Sequence, residues 1–322
     1  MSFLPKPVRR ILITLPVLWV VVSVVFLLIH LVPGDPIAQM LGEGATASDT
    51  TALRHSLGLD LPLHTQYLRY WHGVLHGNLG RSYNQNQTVL SLIAQRLPKT
   101  LVLTSLSLIV ALVVGLPLGM LQAARRNGVT DRLLSVASLA MYSAPIFLTG
   151  ILGIWLFAVR WRALPAQAPQ GTSVLQILED PKALVLPVLC LGLGSIAAFS
   201  RYMRSSTIEN LVQDYVRLAR AKGAGPARIM YRHVARNALG PVTTQVGLFL
   251  PILFAGTVIT EAVFNYPGMG LLFWTAAGAR DYQTELGVVL VVGVATVIGS
   301  LLADIAYGVL DPRIRESSRA SQ

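Results

Sequence analysis

The stretch that decides the fold reads Asp214-Tyr215-Val216-Arg217-Leu218-Ala219-Arg220-Ala221-Lys222-Gly223-Ala224-Gly225-Pro226. It continues through Ile229, His233 and Asn237 to Gly240-Pro241. At helical spacing Leu211, Tyr215, Leu218, Ala219 and Lys222 share one face, while Gly223, Gly225 and Pro226 stop that helix and Pro226 starts another. The pattern predicts two short helices joined by an elbow of small residues. Eight basic residues lie between Arg201 and Arg236, a density that on a soluble chain would point to nucleic acid. Apolar runs of membrane length flank the elbow closely on both sides, so it is expected at the cytoplasmic face of a membrane, with no nucleic acid as partner.

Composition agrees. Of 322 residues 53% are hydrophobic and only 13% charged, with a mean hydropathy of +0.58, which is too little polar surface for a soluble protein of this length. The lone Cys190 excludes an internal disulfide and reads as a small buried hydrophobe. The net charge of +11 is explained by its distribution. Seventeen of the 26 basic residues, against five acids, fall in the amino terminus, residues 122–132, residues 201–240 and the carboxyl tail. By the positive-inside rule those segments, and with them both termini, are expected on the cytoplasmic side.

In chain order, residues 11–31 form an apolar run too long for a secretory leader and without a small-x-small cleavage site, so an uncleaved first span is expected. From Pro33 to about Leu97 the chain is polar, with turns at Pro33-Gly34, Gly42-Glu43-Gly44 and Asp60-Leu61-Pro62. Stretches such as Tyr67-Leu68-Arg69-Tyr70-Trp71 are too aromatic for a disordered linker. A small, mainly helical external subdomain is expected. His72 and His76 stand at i,i+4 but lack a third ligand at a telling spacing, so they read as surface histidines and no metal is expected. Leu101–Leu121, Leu133–Val159, Ala183–Phe199, Leu239–Ile259 and Leu286–Leu310 are the expected second to sixth spans. Pro117 and Pro145 read as kinks inside helices, with a gate hinge beside Ser143 as the alternative. Thr244 and Gln245 in the fifth span are too polar to face lipid, so with Ser143 they are the candidates for a translocation path. Asp304 lies close enough to Asp311-Pro312 to reach the cytoplasmic interface, which argues against a proton relay. The resulting divisions are 1–32 (amino terminus and first span), 33–97 (external subdomain), 98–310 (spans two to six, including the loop 201–240) and 311–322 (cytoplasmic tail).

Several of these stretches resemble one family. Ala219 four residues before Gly223 matches the spacing of the EAA loop of ABC-importer permeases. The Asp-Tyr-Val-Arg-x-Ala-Arg-Ala-Lys-Gly run, followed by Arg-His-x-x-Arg-Asn-Ala, is similar to its peptide-importer branch. Arg217 and Leu218 occupy the first two EAA positions, a departure ordinary for that branch. The Pro-Gly-Asp-Pro at 33–36, Leu57-Gly58-Leu59-Asp60, Gln66-Tyr67, Gly77-Asn78-Leu79-Gly80-Arg81-Ser82, the run from Glu261 to Gly270 and Asp311-Pro312-Arg313 extend the likeness along nearly the whole chain.

The resemblance implies an all-α polytopic protein with six transmembrane helices in the type I ABC importer permease architecture, in a bacterial cytoplasmic (inner) membrane. It implies a heterodimer with a second, homologous permease, two ATP-binding cassette subunits and an external substrate-binding protein, importing di- or oligopeptides. It also implies that Arg217, Ala219, Ala221, Lys222, Gly223, Pro226, Arg228, Arg232 and His233 couple to the ATPases. For Arg228, Arg232 and Arg236 anionic lipid headgroups remain an open alternative partner. No P-loop, Gly-x-Ser-x-Gly or His-Glu-x-x-His motif occurs, so the chain itself is expected to be no enzyme and to bind no cofactor. The competing reading is a stand-alone secondary transporter or channel, which would want midplane charges and an internal repeat. A membrane enzyme ranks third.

Overall fold

The computed structural model describes residues 6–41, 46–255 and 257–310. Helices account for most of it, and among the described residues the only sheet-like pairing is an isolated bridge between Arg81 and Thr88. In chain order the helices are α1 (Lys6–Leu31), α2 (Pro36–Leu41), α3 (Ala47–Leu57), α4 (Leu63–Leu75), α5 (Val89–Ala124), α6 (Val129–Ser143) and α7 (Ile146–Gly153). A π-helical stretch, Ile154–Arg160, prolongs α7. Next come α8 (Val174–Glu179), α9 (Pro181–Leu211), α10 (Asp214–Ala221) and α11 (Pro226–Arg228), which runs through a π-helical turn, Ile229–Val234, into α12 (Ala235–Ala255). The chain ends in α13 (Val258–Val263), α14 (Met269–Gly278) and α15 (Tyr282–Leu310).

Among the described residues four helices are long and apolar enough to cross a membrane: α1, α5, α9 and α15. A fifth span is formed if α6 and α7 with its prolongation count as one, although they meet at 103°. The expected kink in the span over 133–159 is therefore a full break. The cause is Pro145: Ala144 before it is extended (φ −68°, ψ 130°), as proline demands of its predecessor, and the helix restarts at Ile146. Pro98 and Pro117, by contrast, are absorbed within the 36-residue α5. At 1.5 Å per residue α5 is about 54 Å long, so it begins well outside the hydrocarbon layer, at Val89 rather than Leu101.

The seam of the molecule is α5 against α9. Gly115 and Gly119, four residues apart, let the two backbones meet: a methyl group on Gly115 would stand 2.9 Å from the Ile196 carbonyl oxygen, and one on Gly119 would collide with that of Ser200. This is the small-x-x-x-small geometry by which membrane helices gain contact without a hydrophobic driving force. Ala111, Ile196, Phe199, Met203, Ala238 and Val242 fill the space beside it. Burial follows from this layout: 61% of the apolar window of α9 lies inside the chain, against 17% for the peripheral α1.

The polar segment between α1 and α5 packs on α1 and α15. Tyr70, buried in α4, donates its hydroxyl hydrogen to the Leu286 carbonyl at 3.3 Å. Tyr67 meets Ser23 at 2.6 Å and stacks edge-on against Phe26 with centroids 5.2 Å apart. Farther along, Glu261 forms a buried knot. It accepts from Thr100 Oγ1 at 2.8 Å and from the Leu271 N–H at 3.0 Å, while Thr100 in turn accepts from the Met269 N–H at 2.8 Å. Tyr266 completes the fastening by donating to the Lys99 carbonyl at 2.6 Å. These bonds tie α13 and α14 to α5, and satisfy polar groups that an apolar surrounding would otherwise make costly.

Candidate functional site

Two features stand apart from the seam: the elbow at α10 and a cavity beside the broken span. The elbow has a core of its own. Val216 and Ala219 on α10 pack against Ile229 and Val234 of the following turn, with Leu211, Tyr215, Ala224 and Met230 around them. Tyr215 donates to Asn210 Oδ1 at 2.8 Å, fastening α10 to the end of α9. The turn closes because Gly223 adopts φ +82°, a left-handed conformation that disfavours side chains, while its N–H bonds to the Arg220 carbonyl at 2.9 Å. Pro226 then opens α11, where its missing N–H costs nothing. The second free helix that the sequence suggested is instead the start of α12, since the π-helical turn at Ile229–Val234 runs directly into it.

Helical spacing groups Leu211, Tyr215, Leu218, Ala219 and Lys222 on one face without saying which way it turns, and the structure splits that group. Leu218 is 57% exposed and Lys222 is exposed, so Val216 and Ala219, flanked by Tyr215, form the inner face. With buried residues at only two positions of an eight-residue helix, periodicity had too short a run to fix the phase. The predicted coupling residues separate accordingly. Arg217, Ala221, Lys222, Gly223, Pro226, Arg228 and Arg232 are exposed, His233 is half-buried, and Ala219 faces inward. The small side chain of Ala219 serves the elbow's own packing. Tyr231, 74% exposed, joins Leu218 as a large apolar group among the arginines, and no motif had pointed to Tyr231. The Arg217–Asp214 pair at 3.2 Å is fully open to water and contributes little to stability.

Behind the elbow, α9 is clamped to α6. Arg204 donates Nε and Nη2 to the two carboxylate oxygens of Asp131, both at 2.8 Å, and the Asn127 N–H binds the same carboxylate at 2.9 Å. Gln122 accepts from Ser200 at 3.1 Å one turn above.

The cavity, of about 410 Å³, opens between the α6–α7 break, α9 and α12. Gln245 lines it, together with Tyr142, Thr149, Ser195, Arg201 and Phe249. Ser143 sits at the break but is not among the lining residues, although Tyr142 and Ala144 on either side of it are. The side chains of Thr244 and Asp304, and the tail beyond Leu310, lie outside the described residues. Two histidines at the end of α4, His72 and His76, stack at 4.3 Å; no cluster of three or more metal-ligating side chains occurs among the described residues.

Comparison with known proteins bears on both features. Residues 115–316 match the family model of the binding-protein-dependent transport system inner membrane component, and residues 2–104 match that family's amino-terminal membrane component. A Brucella ovis protein carrying a peptide-permease name is 41% identical over 311 residues, 95% of this chain and 98% of that one. The dipeptide transport system permease protein DppB of Escherichia coli is 35% identical over 95% of this chain and 97% of its own length. The oligopeptide transport system permease protein AppB of Bacillus subtilis is 34% identical over 95% and 98%. Among solved structures, the inward-facing MetNI methionine ABC transporter overlays 69% of this chain and 97% of its own with a TM-score of 0.55. At 18% identity that likeness concerns the fold. With one family model spanning the elbow and the seam, and relatives aligned along 95% of its length, the chain belongs to the binding-protein-dependent transport system inner membrane components.

Proposed function

We propose that the chain is one of two membrane subunits of a peptide-type ABC importer, with six spans and both termini in the cytoplasm. The span still to be added is α12, the fifth in chain order, whose 21 residues are polar at the elbow end and apolar beyond Gln245. The observation that carries the reading is the elbow itself. A compact unit with its own core, held to α9 and continuous with α12, presents Arg217, Leu218, Lys222, Arg228, Tyr231 and Arg232 to the outside. A rigid unit of this kind transmits a push from a docked ATPase into two spans at once, through α9 and α12. Through the Arg204–Asp131 clamp the push reaches α6 and the break that borders the cavity. ATP hydrolysis then belongs to separate subunits, and an external binding protein delivers the cargo above residues 33–97.

The cavity is the candidate inner part of the translocation path, with Gln245 as its polar wall. The test is uptake by vesicles carrying the complete complex: ATP-dependent accumulation of a labelled dipeptide, requiring the binding protein, is expected. Gln245→Cys should react with a polar thiol reagent during turnover. Uptake by the purified chain alone, driven by an ion gradient, would contradict the reading and favour a secondary transporter. Protection of Gln245→Cys in every state would remove the cavity from the path.

A further inference from the structure

The cavity is lined by a single cation, Arg201, whose side chain is itself exposed. Among the described residues lining the space, Arg201 is the one charged side chain, surrounded by Tyr142, Thr149, Ser195, Gln245 and Phe249. Its guanidinium carbon stands 4.8 Å from the centroid of the Tyr142 ring. That ring is its only partner among the described residues. Arg204, one helical turn away, is engaged by both oxygens of Asp131, so the nearby carboxylate is already committed. A ring contact positions a guanidinium but leaves N–H donors along its edge, the fork that matches a carboxylate in bidentate fashion.

The geometry points to a carboxylate-binding station at Arg201, at the inner end of the cavity, which takes the terminal carboxylate of the cargo peptide before release. This rests on the importer reading above. The chemistry suits a cargo that varies in its side chains, because the terminal carboxylate is the group every linear peptide shares. The rest of the wall is neutral and mixed: Thr149, Ser195 and Gln245 offer hydrogen bonds to a peptide backbone, and Tyr142 and Phe249 offer apolar faces. Because Arg201 is exposed, water screens its charge, and its preference for a carboxylate over an uncharged amide is modest. Arg201 thus guides the peptide and does not bind it tightly, which transport toward the cytoplasm requires.

The test uses the whole complex in vesicles, with binding protein and ATP, and two probes: dialanine and dialanine amide. Each is supplied at a concentration that stimulates ATP hydrolysis to the same plateau. The wild-type complex should move dialanine about threefold more per ATP than the amide, the factor expected for one charge pair at an exposed site. Arg201→Gln should lower dialanine transport to the level of the amide and leave the amide unchanged, and Arg201→Lys should restore most of the difference. A parallel fall of both probes in Arg201→Gln, or an undiminished preference for dialanine, would overturn the station while leaving the importer reading intact. A wild-type complex that moves neither probe with ATP would overturn the importer reading, and the station with it.

Discussion

Two glycines in this chain do opposite things. Gly119 lies in the α5–α9 seam, where a methyl group would strike the Ser200 carbonyl oxygen and the Met203 Cβ; Gly223 lies at the tip of the elbow, where a methyl group would meet nothing within 4 Å. The first is glycine because the chain itself leaves no room. The second has all the room its own chain can offer, and is glycine for a backbone at φ +82°. A residue constrained only by its backbone should accept any side chain at roughly the same cost, unless something outside the chain comes close. The seam is therefore where the subunit's stability resides, and the elbow is where a partner's demands should be read.

The largest effect is expected at the seam. Gly119→Val places side-chain atoms against α9 backbone, which cannot turn aside as a flexible side chain can, and should cost about 3 kcal/mol. The measurement is the melting temperature of the detergent-purified subunit. An unchanged melting temperature would mean that α5 and α9 do not meet as described. Next comes the clamp between the two regions. Asp131→Asn keeps the shape but removes the charge opposite Arg204; with Asp131 buried and the arginine partly solvated, about 2 kcal/mol is expected. Transport should fall with it, because α6 is released from the helix that carries the elbow. Loss of stability with full transport would separate the clamp from coupling. Smallest in stability is Leu218→Ala: the side chain is 57% exposed, so the subunit should lose under about 0.5 kcal/mol while its recovery with the ATPase subunits drops. Equal recovery would show that the exposed leucine is not at an interface.

Much of this was legible in the sequence. The apolar runs that became α1, α9 and α15 were readable because a membrane fixes both the length and the polarity of what crosses it. The elbow was readable as a unit because Gly223, Gly225 and Pro226 have local conformational meaning. Four things were not. Pro117 and Pro145 look alike as residues, yet one is absorbed in α5 and the other breaks a span by 103°; neighbouring helices decide that, and they are distant in sequence. Gly115 and Gly119 carry a recognisable four-residue spacing that could have marked the seam, but the partner backbone at Ile196 and Ser200 is about eighty residues away. The Glu261 knot was visible only as a turn similar to the family's, with no chemistry attached, because its partners Thr100 and Leu271 come from different helices. Which side of α10 turns inward was not legible for a related reason: its apolar contacts come from the turn after it, Ile229 and Val234, and not from a long stripe of its own.

The central claim, that the elbow exists for a partner, is tested most directly at Gly223 by comparing two substitutions in the assembled complex. Both Ala and Trp would adopt the same unfavourable φ, at a cost of about 1 kcal/mol, and in the subunit alone both find open space. If an ATPase seats against the elbow, Gly223→Ala should retain most dipeptide uptake and ATPase association. Gly223→Trp, at equal membrane levels, should lose both. Equal uptake by the two variants, with the ATPase bound normally in each, would contradict the account.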